Sequence, residues 1–205
     1  IGNKERFLAK VEDILERHWL SNGGYYVRQF EKQVAELVGV KHCIAMCNGT
    51  TALEVAIRAS GLSGEVILPS FTFIATAHAL QWQQITPVFC DIDPVTFTLD
   101  PLKIEALITP QTTGIIGVHL WGHPCQIEAL QEIADFYHLT LLFDAAHAFG
   151  CSYHEKMIGQ FGQAEIFSFH ATKFLNTLEG GAVVTHNAEL AEKIRFMQNF
   201  GFVDY

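Results

Sequence analysis

The chain has 205 residues, is 49% hydrophobic and only 17% charged, and carries 13 basic against 22 acidic side chains for a formal net charge of −9. That balance excludes a general nucleic-acid-binding surface, although backbone dipoles can still hold a small phosphate-bearing ligand. No apolar run approaches the roughly 20 residues of a membrane span, no signal peptide is visible, and the length suits one large domain or a domain with part of another.

In chain order, Phe7, Leu8, Val11, Ile14, Leu15 and Trp19 have the spacing of a helix over residues 4–20, which Ser21-Asn22-Gly23-Gly24 stops. A second helix is expected from about Val27 to Val38, ending at Gly39, and His42 to Met46 reads as a short strand. Asn48-Gly49-Thr50-Thr51 then opens an Ala- and Leu-rich helix to Ser60. Val66-Ile67-Leu68 is the next strand, Pro69 to Phe73 a turn, and a helix follows through Gln83. Strand Pro87–Asp91, helix Pro101–Leu107, strand Thr113–Val118, helix Gln126–Tyr137 and strand Thr140–Phe143 continue the alternation. Two further strand-like runs, Ala164–Phe169 and Ala182–Thr185, flank Lys173 with a short loop between them and break the rhythm, as a local antiparallel insertion would. A helix over 188–198 closes the chain. The β-α-β-α order predicts an α/β fold, a mostly parallel sheet with helices on both faces.

Five cysteines, at 43, 47, 90, 125 and 151, are an odd number, and most lie in apolar runs. They read as free buried thiols in a reducing cytoplasm. Cys43 with Cys47, and His119 with His123, have paired spacing without a convincing helix or an acidic partner, so no metal site is expected.

Ligands of open α/β sheets sit outside the carboxyl ends of the strands. Four polar segments fall there: Asn48–Thr51, Ser70–Phe73, Asp144–His147 and Ser168–Lys173. A glycine followed by two hydroxyl residues at a helix start can hold a phosphate on free amides; a plain N-cap is the competing reading. There is no G-x-G-x-x-G at this turn and no G-x-x-x-x-G-K-[ST]. Phe71 or Phe73 could stack on a flat cofactor or be core aromatics. Asp144 and Lys173 at neighbouring strand ends match what pyridoxal phosphate needs, a carboxylate for the pyridine nitrogen and a buried, nucleophilic amine for a Schiff base. The competing reading is a lysine that reaches solvent beside a structural aspartate.

Taken together, Cys47-Asn48-Gly49-Thr50-Thr51-Ala52-Leu53, Pro69-Ser70-Phe71-Thr72-Phe73, Phe143-Asp144-Ala145-Ala146-His147-Ala148-Phe149-Gly150 and Ser168–Lys173 with Glu179-Gly180-Gly181 resemble the DegT/DnrJ/EryC1/StrS family of nucleotide-sugar aminotransferases. The resemblance runs from about Arg17 to Tyr205. It implies the large pyridoxal-phosphate-binding domain of fold type I, with a mostly parallel sheet of seven-stranded type sandwiched by helices. Residues 1–30 would be an N-terminal helical segment and 31–205 the large domain, with the family's smaller C-terminal domain missing.

The roles implied are catalytic for Lys173, Asp144 and His147. Gly49, Thr50, Thr51 and Ser168 would hold the cofactor phosphate, Phe73 would stack on its ring, and His147 would stand near its phenolic oxygen. Tyr25 and Tyr26, in Gly24-Tyr25-Tyr26-Val27, match a stretch near the substrate entrance. The reaction implied is ping-pong transfer of an amine from an amino acid, usually glutamate, to a nucleotide-linked keto sugar, most often a 4-keto-6-deoxy hexose used for O-antigen or other surface glycans. A cytoplasmic homodimer with shared active sites is implied too. Two alternatives stand beside it: a pyridoxamine-dependent sugar dehydrase, whose family branches carry histidine where this chain has Lys173, and a non-catalytic cofactor-binding regulator.

Overall fold

A computed structural model describes residues 2–202. The elements are α1 (Lys4–Glu16), α2 (Tyr25–Val38), β1 (His42–Met46), α3 (Gly49–Ala59), β2 (Glu65–Pro69), α4 (Ala75–Gln81), β3 (Thr86–Cys90), α5 (Pro101–Ile104), β4 (Thr112–Val118), α6 (Ile127–Tyr137), β5 (Thr140–Asp144), β6 (Ser152–Tyr153), β7 (Lys156–Met157), β8 (Ala164–Ser168), β9 (Gly181–Thr185) and α7 (Ala188–Gln198).

Seven strands form one sheet in the order β1-β9-β8-β5-β4-β2-β3. The pairings of β2 with β3 and β4, of β4 with β5 and of β5 with β8 are parallel, whereas β9 runs antiparallel between β8 and β1. The expected break in the rhythm is therefore real, but the loop it contains is long, residues 169–180. Its base is tied by Phe169 N–H to Gly180 O (2.7 Å) and Thr177 N–H to Phe169 O (2.9 Å).

Period-two alternation divides the strands between two cores. Leu141, Phe143 and Phe167 pack with Val34 and Val38 of α2 and with Ile127, Leu130 and Ala134 of α6. Leu142, Ile166 and Val183 pack on the other face with Ala52, Leu53, Ala56 and Ile57 of α3, Leu80 of α4 and Ile194 of α7. Strands buried on both faces explain the low charge content.

Three differences from the sequence reading have local causes. Helix α1 stops at Glu16, because His18 turns left-handed (φ 54°). Helix α4 ends at Gln81, with Gln84 left-handed (φ 61°) just beyond it. The hairpin β6–β7 was not anticipated; its strands are two residues each, too short to carry a periodic pattern. Helix α2 runs across residue 30 without a break and packs beside β1.

Candidate active site

Asp144 and Ser168 end the adjacent parallel strands β5 and β8, one residue beyond Phe143 and Phe167, which belong to the α2/α6 core. Alternation turns both side chains to the other face, towards α3 and α4. There they meet a cavity of about 710 Å³ lined by Asn48, Gly49, Thr50, Phe71, Thr72, Phe73, Trp121, Asp144, His147, Ser168, His170, Lys173 and Glu179, among others.

One end of the cavity is the N-terminus of α3. Asn48 caps it, its Oδ1 accepting from Thr51 N–H at 2.8 Å and its carbonyl from Ala52 N–H at 3.1 Å. Among the described residues, the amides of Gly49 and Thr50 have no acceptor, so the helix presents two open donors and its positive dipole end. The wall is close: a Cβ at Gly49 would stand 2.9 Å from Ser168 Cβ. A Cβ at Gly181, which the antiparallel direction of β9 brings to the same edge, would stand 2.4 Å from the Asn48 carbonyl. Two glycines thus let this turn tuck against β8 and β9.

Asp144 is nearly fully buried and its carboxylate is held at both oxygens. Oδ1 accepts from Ala146 N–H (3.1 Å) and Oδ2 from the Thr76 hydroxyl (2.9 Å). A buried carboxylate demands such donors.

His147 lies one turn further on, half-buried, its Nδ1 accepting from Trp121 N–H at 3.2 Å. Burial, and then the nearby Lys173 ammonium, push its imidazole below the ordinary value, with Asp144 opposing. A neutral ring with Nδ1 as acceptor carries its proton on Nε2. Lys173 sits in a turn closed by its own N–H to His170 O at 2.9 Å. It is partly exposed rather than buried, which corrects the expectation of a buried amine: the lysine lies in the loop beyond β8 and not in the sheet.

The structure brings Gly49, Thr50, Phe73, Asp144, His147, Ser168 and Lys173 onto one cavity. Thr51 is in the first turn of α3 but off the cavity wall, its hydroxyl 3.5 Å from Cys47 Sγ. Tyr25 and Tyr26 line a separate groove with Arg17, Trp19 and Arg28; Arg17 lies over the Tyr25 ring, and the Tyr26 hydroxyl donates to Asp13 (2.9 Å).

Thr76 and Trp121 escaped the sequence reading, and Thr72, His170 and Glu179 lay in its motifs without an assigned role. Thr76 lay in plain view three residues after Phe73, but only folding sets it against Asp144 across 68 positions. His119 is at the cavity wall but its ring is engaged within the core: Nδ1 accepts from Cys125 N–H (3.1 Å), and Nε2 faces Glu165 Oε2 at 3.3 Å, both side chains fully buried. The cysteines are all free; Cys43, Cys90 and Cys125 are buried and Cys47 is exposed. Burial pushes the Cys43 thiol up to about 12 and the Cys90 thiol up to about 11.

A helix terminus, a strand-end carboxylate and a lysine thus surround one cavity on a fold shared with aminotransferases of fold type I. The chain belongs to the DegT/DnrJ/EryC1/StrS aminotransferase family, whose profile it matches over residues 2–205. It is similar to a dTDP-4-amino-4,6-dideoxy-D-glucose transaminase of Shigella dysenteriae, 42% identical over 98% of this chain and 54% of that protein. A dTDP-3-amino-3,6-dideoxy-alpha-D-galactopyranose transaminase of Aneurinibacillus thermoaerophilus is 43% identical over 92% of this chain and 52% of the relative. The crystal structure of DesI with its TDP-sugar product superposes with a TM-score of 0.96 at 52% identity, over 98% of this chain and 51% of that one. The chain spans about half the length of these relatives. Among the described residues, no helix is long and apolar enough to cross a membrane.

Proposed function

We propose that the protein is a pyridoxal-phosphate-dependent aminotransferase that moves an amine from an amino acid, glutamate in our reading, to a nucleotide-linked keto sugar, a 4-keto-6-deoxy hexose. The observation that carries the proposal is the convergence of the Gly49–Ser168 cradle, Asp144, His147 and Lys173 on one 710 Å³ cavity. The names of the relatives support the substrate class.

The residues fit the cofactor. Gly49, where a Cβ would stand 2.9 Å from Ser168 Cβ, lets the turn pack onto β8, and the start of α3 leaves two amide donors beside the Thr50 and Ser168 hydroxyls for a phosphate. When bound, pyridoxal phosphate supplies an electron sink for the carbanion at the substrate carbon. Asp144, buried and doubly hydrogen-bonded, would hold a proton on the ring nitrogen by opposing its charge. His147, its Nδ1 engaged by Trp121 N–H, would offer Nε2–H to the phenolic oxygen. Lys173 Nζ would be the amine that holds the cofactor aldehyde and, when free, the base and acid that moves a proton at the substrate carbon in both half-reactions. Phe73, 69% exposed on the cavity wall, offers a ring face to a flat ligand.

A homodimer with shared sites belongs to the same reading. Phe174, beside Lys173, is 94% exposed and Trp121 68%, apolar surface that a second copy would cover. The free thiols agree with a cytoplasmic enzyme, and a role in O-antigen or lipopolysaccharide synthesis belongs to the same reading.

The test incubates the intact natural protein, pyridoxal phosphate and glutamate with a panel of nucleotide keto sugars and follows the products by mass spectrometry. Glutamate-dependent appearance of an amino sugar is expected. Dehydrated sugar without amine, or no turnover with any panel member, overturns the proposal.

A further inference from the structure

Asp144 does not stand alone. The Thr76 hydroxyl, fully buried on the first turn of α4, lies 2.9 Å from Asp144 Oδ2, 2.9 Å from Thr72 Oγ1 and 3.1 Å from the Phe73 carbonyl. It has one proton for these three oxygens. A bond to an ionised carboxylate is roughly twice as strong as one to a neutral carbonyl, so the proton goes to Asp144. The Thr76 oxygen then accepts from Thr72, which itself lines the cavity. A neutral Asp144 would reverse the chain, donating to Thr76, which would donate to Phe73 O, and the charge-assisted bond would be lost.

We propose that Thr76 is a positioning residue that fixes the Asp144 carboxylate as an ionised acceptor towards the cavity, with Thr72 as the second link of the same hydroxyl chain. This rests on the reading of the cavity as a pyridoxal phosphate site. Ala146 N–H holds the other oxygen, so the carboxylate keeps its plane only while both donors are present. Burial of Thr76 keeps bulk water from replacing its hydroxyl.

The experiment compares Thr76→Val, Thr76→Ser and Thr72→Val with the parent in the intact natural protein. Apoprotein is titrated with pyridoxal phosphate, the absorbance of the bound cofactor is followed with pH, and unfolding of the apoprotein is measured separately. Thr76→Val, which keeps shape and removes the hydroxyl, is expected to weaken cofactor binding by about tenfold or more and to raise the share absorbing as the neutral-ring form. Thr76→Ser is expected to restore both, and Thr72→Val to shift both in the same direction by less.

Parent-like affinity and spectrum in Thr76→Val overturn the proposal, as does Thr76→Ser behaving like Thr76→Val, which marks a packing role. If Thr76→Val does not fold, Thr72→Val decides, and parent-like values there overturn the chain. A parent protein that binds no pyridoxal phosphate overturns the cofactor reading itself, an outcome distinct from those.

Discussion

The backbone amide of Trp121 donates to Nδ1 of His147 across 3.2 Å, from a residue held in the left-handed region at φ 53°. Non-glycine residues adopt that conformation at a cost of roughly 1–2 kcal/mol, and here it aims an N–H at the ring of a histidine on the next strand's loop. The bond decides which nitrogen of His147 carries its proton, and so which atom faces the cavity.

That relationship has a pH signature. The folded His147 imidazole titrates below its ordinary value of 6.5, with burial the largest cause. Between the lowered folded value and 6.5 the unfolded chain binds more protons, so stability falls as pH falls through that window and is unaffected above it. An NMR titration of the His147 ring is expected to give a midpoint below 6.5. His147→Gln is expected to flatten the acid side of the stability profile in that window.

Lys173→Ala removes the amine on which the proposed chemistry turns. Single-turnover reaction with glutamate is expected to fall roughly 10⁴-fold, and the visible absorbance of lysine-bound cofactor to disappear. Retained turnover in this variant would sink the assignment.

The cradle predicts different fates for two glycines. Gly49→Ala would press a Cβ to 2.9 Å from Ser168 Cβ, a side-chain contact, and is expected to cost about 1–3 kcal/mol in denaturant unfolding. Adding Ser168→Gly should recover part of that loss. Gly181→Ala meets the Asn48 backbone at 2.4 Å, and the same second substitution should not rescue it. Equal rescue of both would show that the clash does not govern the loss.

The buried pair of His119 and Glu165 predicts a stability effect. His119→Ala removes the imidazole that faces Glu165 Oε2 at 3.3 Å and is expected to cost about 3–5 kcal/mol. Replacing both by apolar residues, His119→Phe with Glu165→Leu, should lose far less. Chemical denaturation of the two variants checks the comparison.

Much of the site was legible one segment at a time. Gly49-Thr50 at a helix start, Asp144 at a strand end and Lys173 after Ser168 are local signals, because each depends on where a strand of period two gives way to a turn or helix. The strands themselves were legible because burial on both faces leaves continuous apolar runs such as Thr140–Phe143. The hairpin β6–β7 carried too few residues to show a period.

By itself, the sequence determined the order of the elements, the two-faced apolar sheet and the chemical identity of the groups at its strand ends, since these follow from local periodicity and side-chain type. Only the tertiary structure decided which groups meet. The placement of β9 between β8 and β1 brings Gly181 against Asn48, and the packing of α4 against α3, β3 and β2 sets Thr76 against Asp144. It also left Lys173 partly open and sent Tyr25 and Tyr26 to a separate groove. The physical reason is that hydrogen bonds and steric contacts act over about 3 Å, whereas the residues that make them here lie far apart in the chain, Thr76 and Asp144 by 68 positions and Asn48 and Gly181 by more.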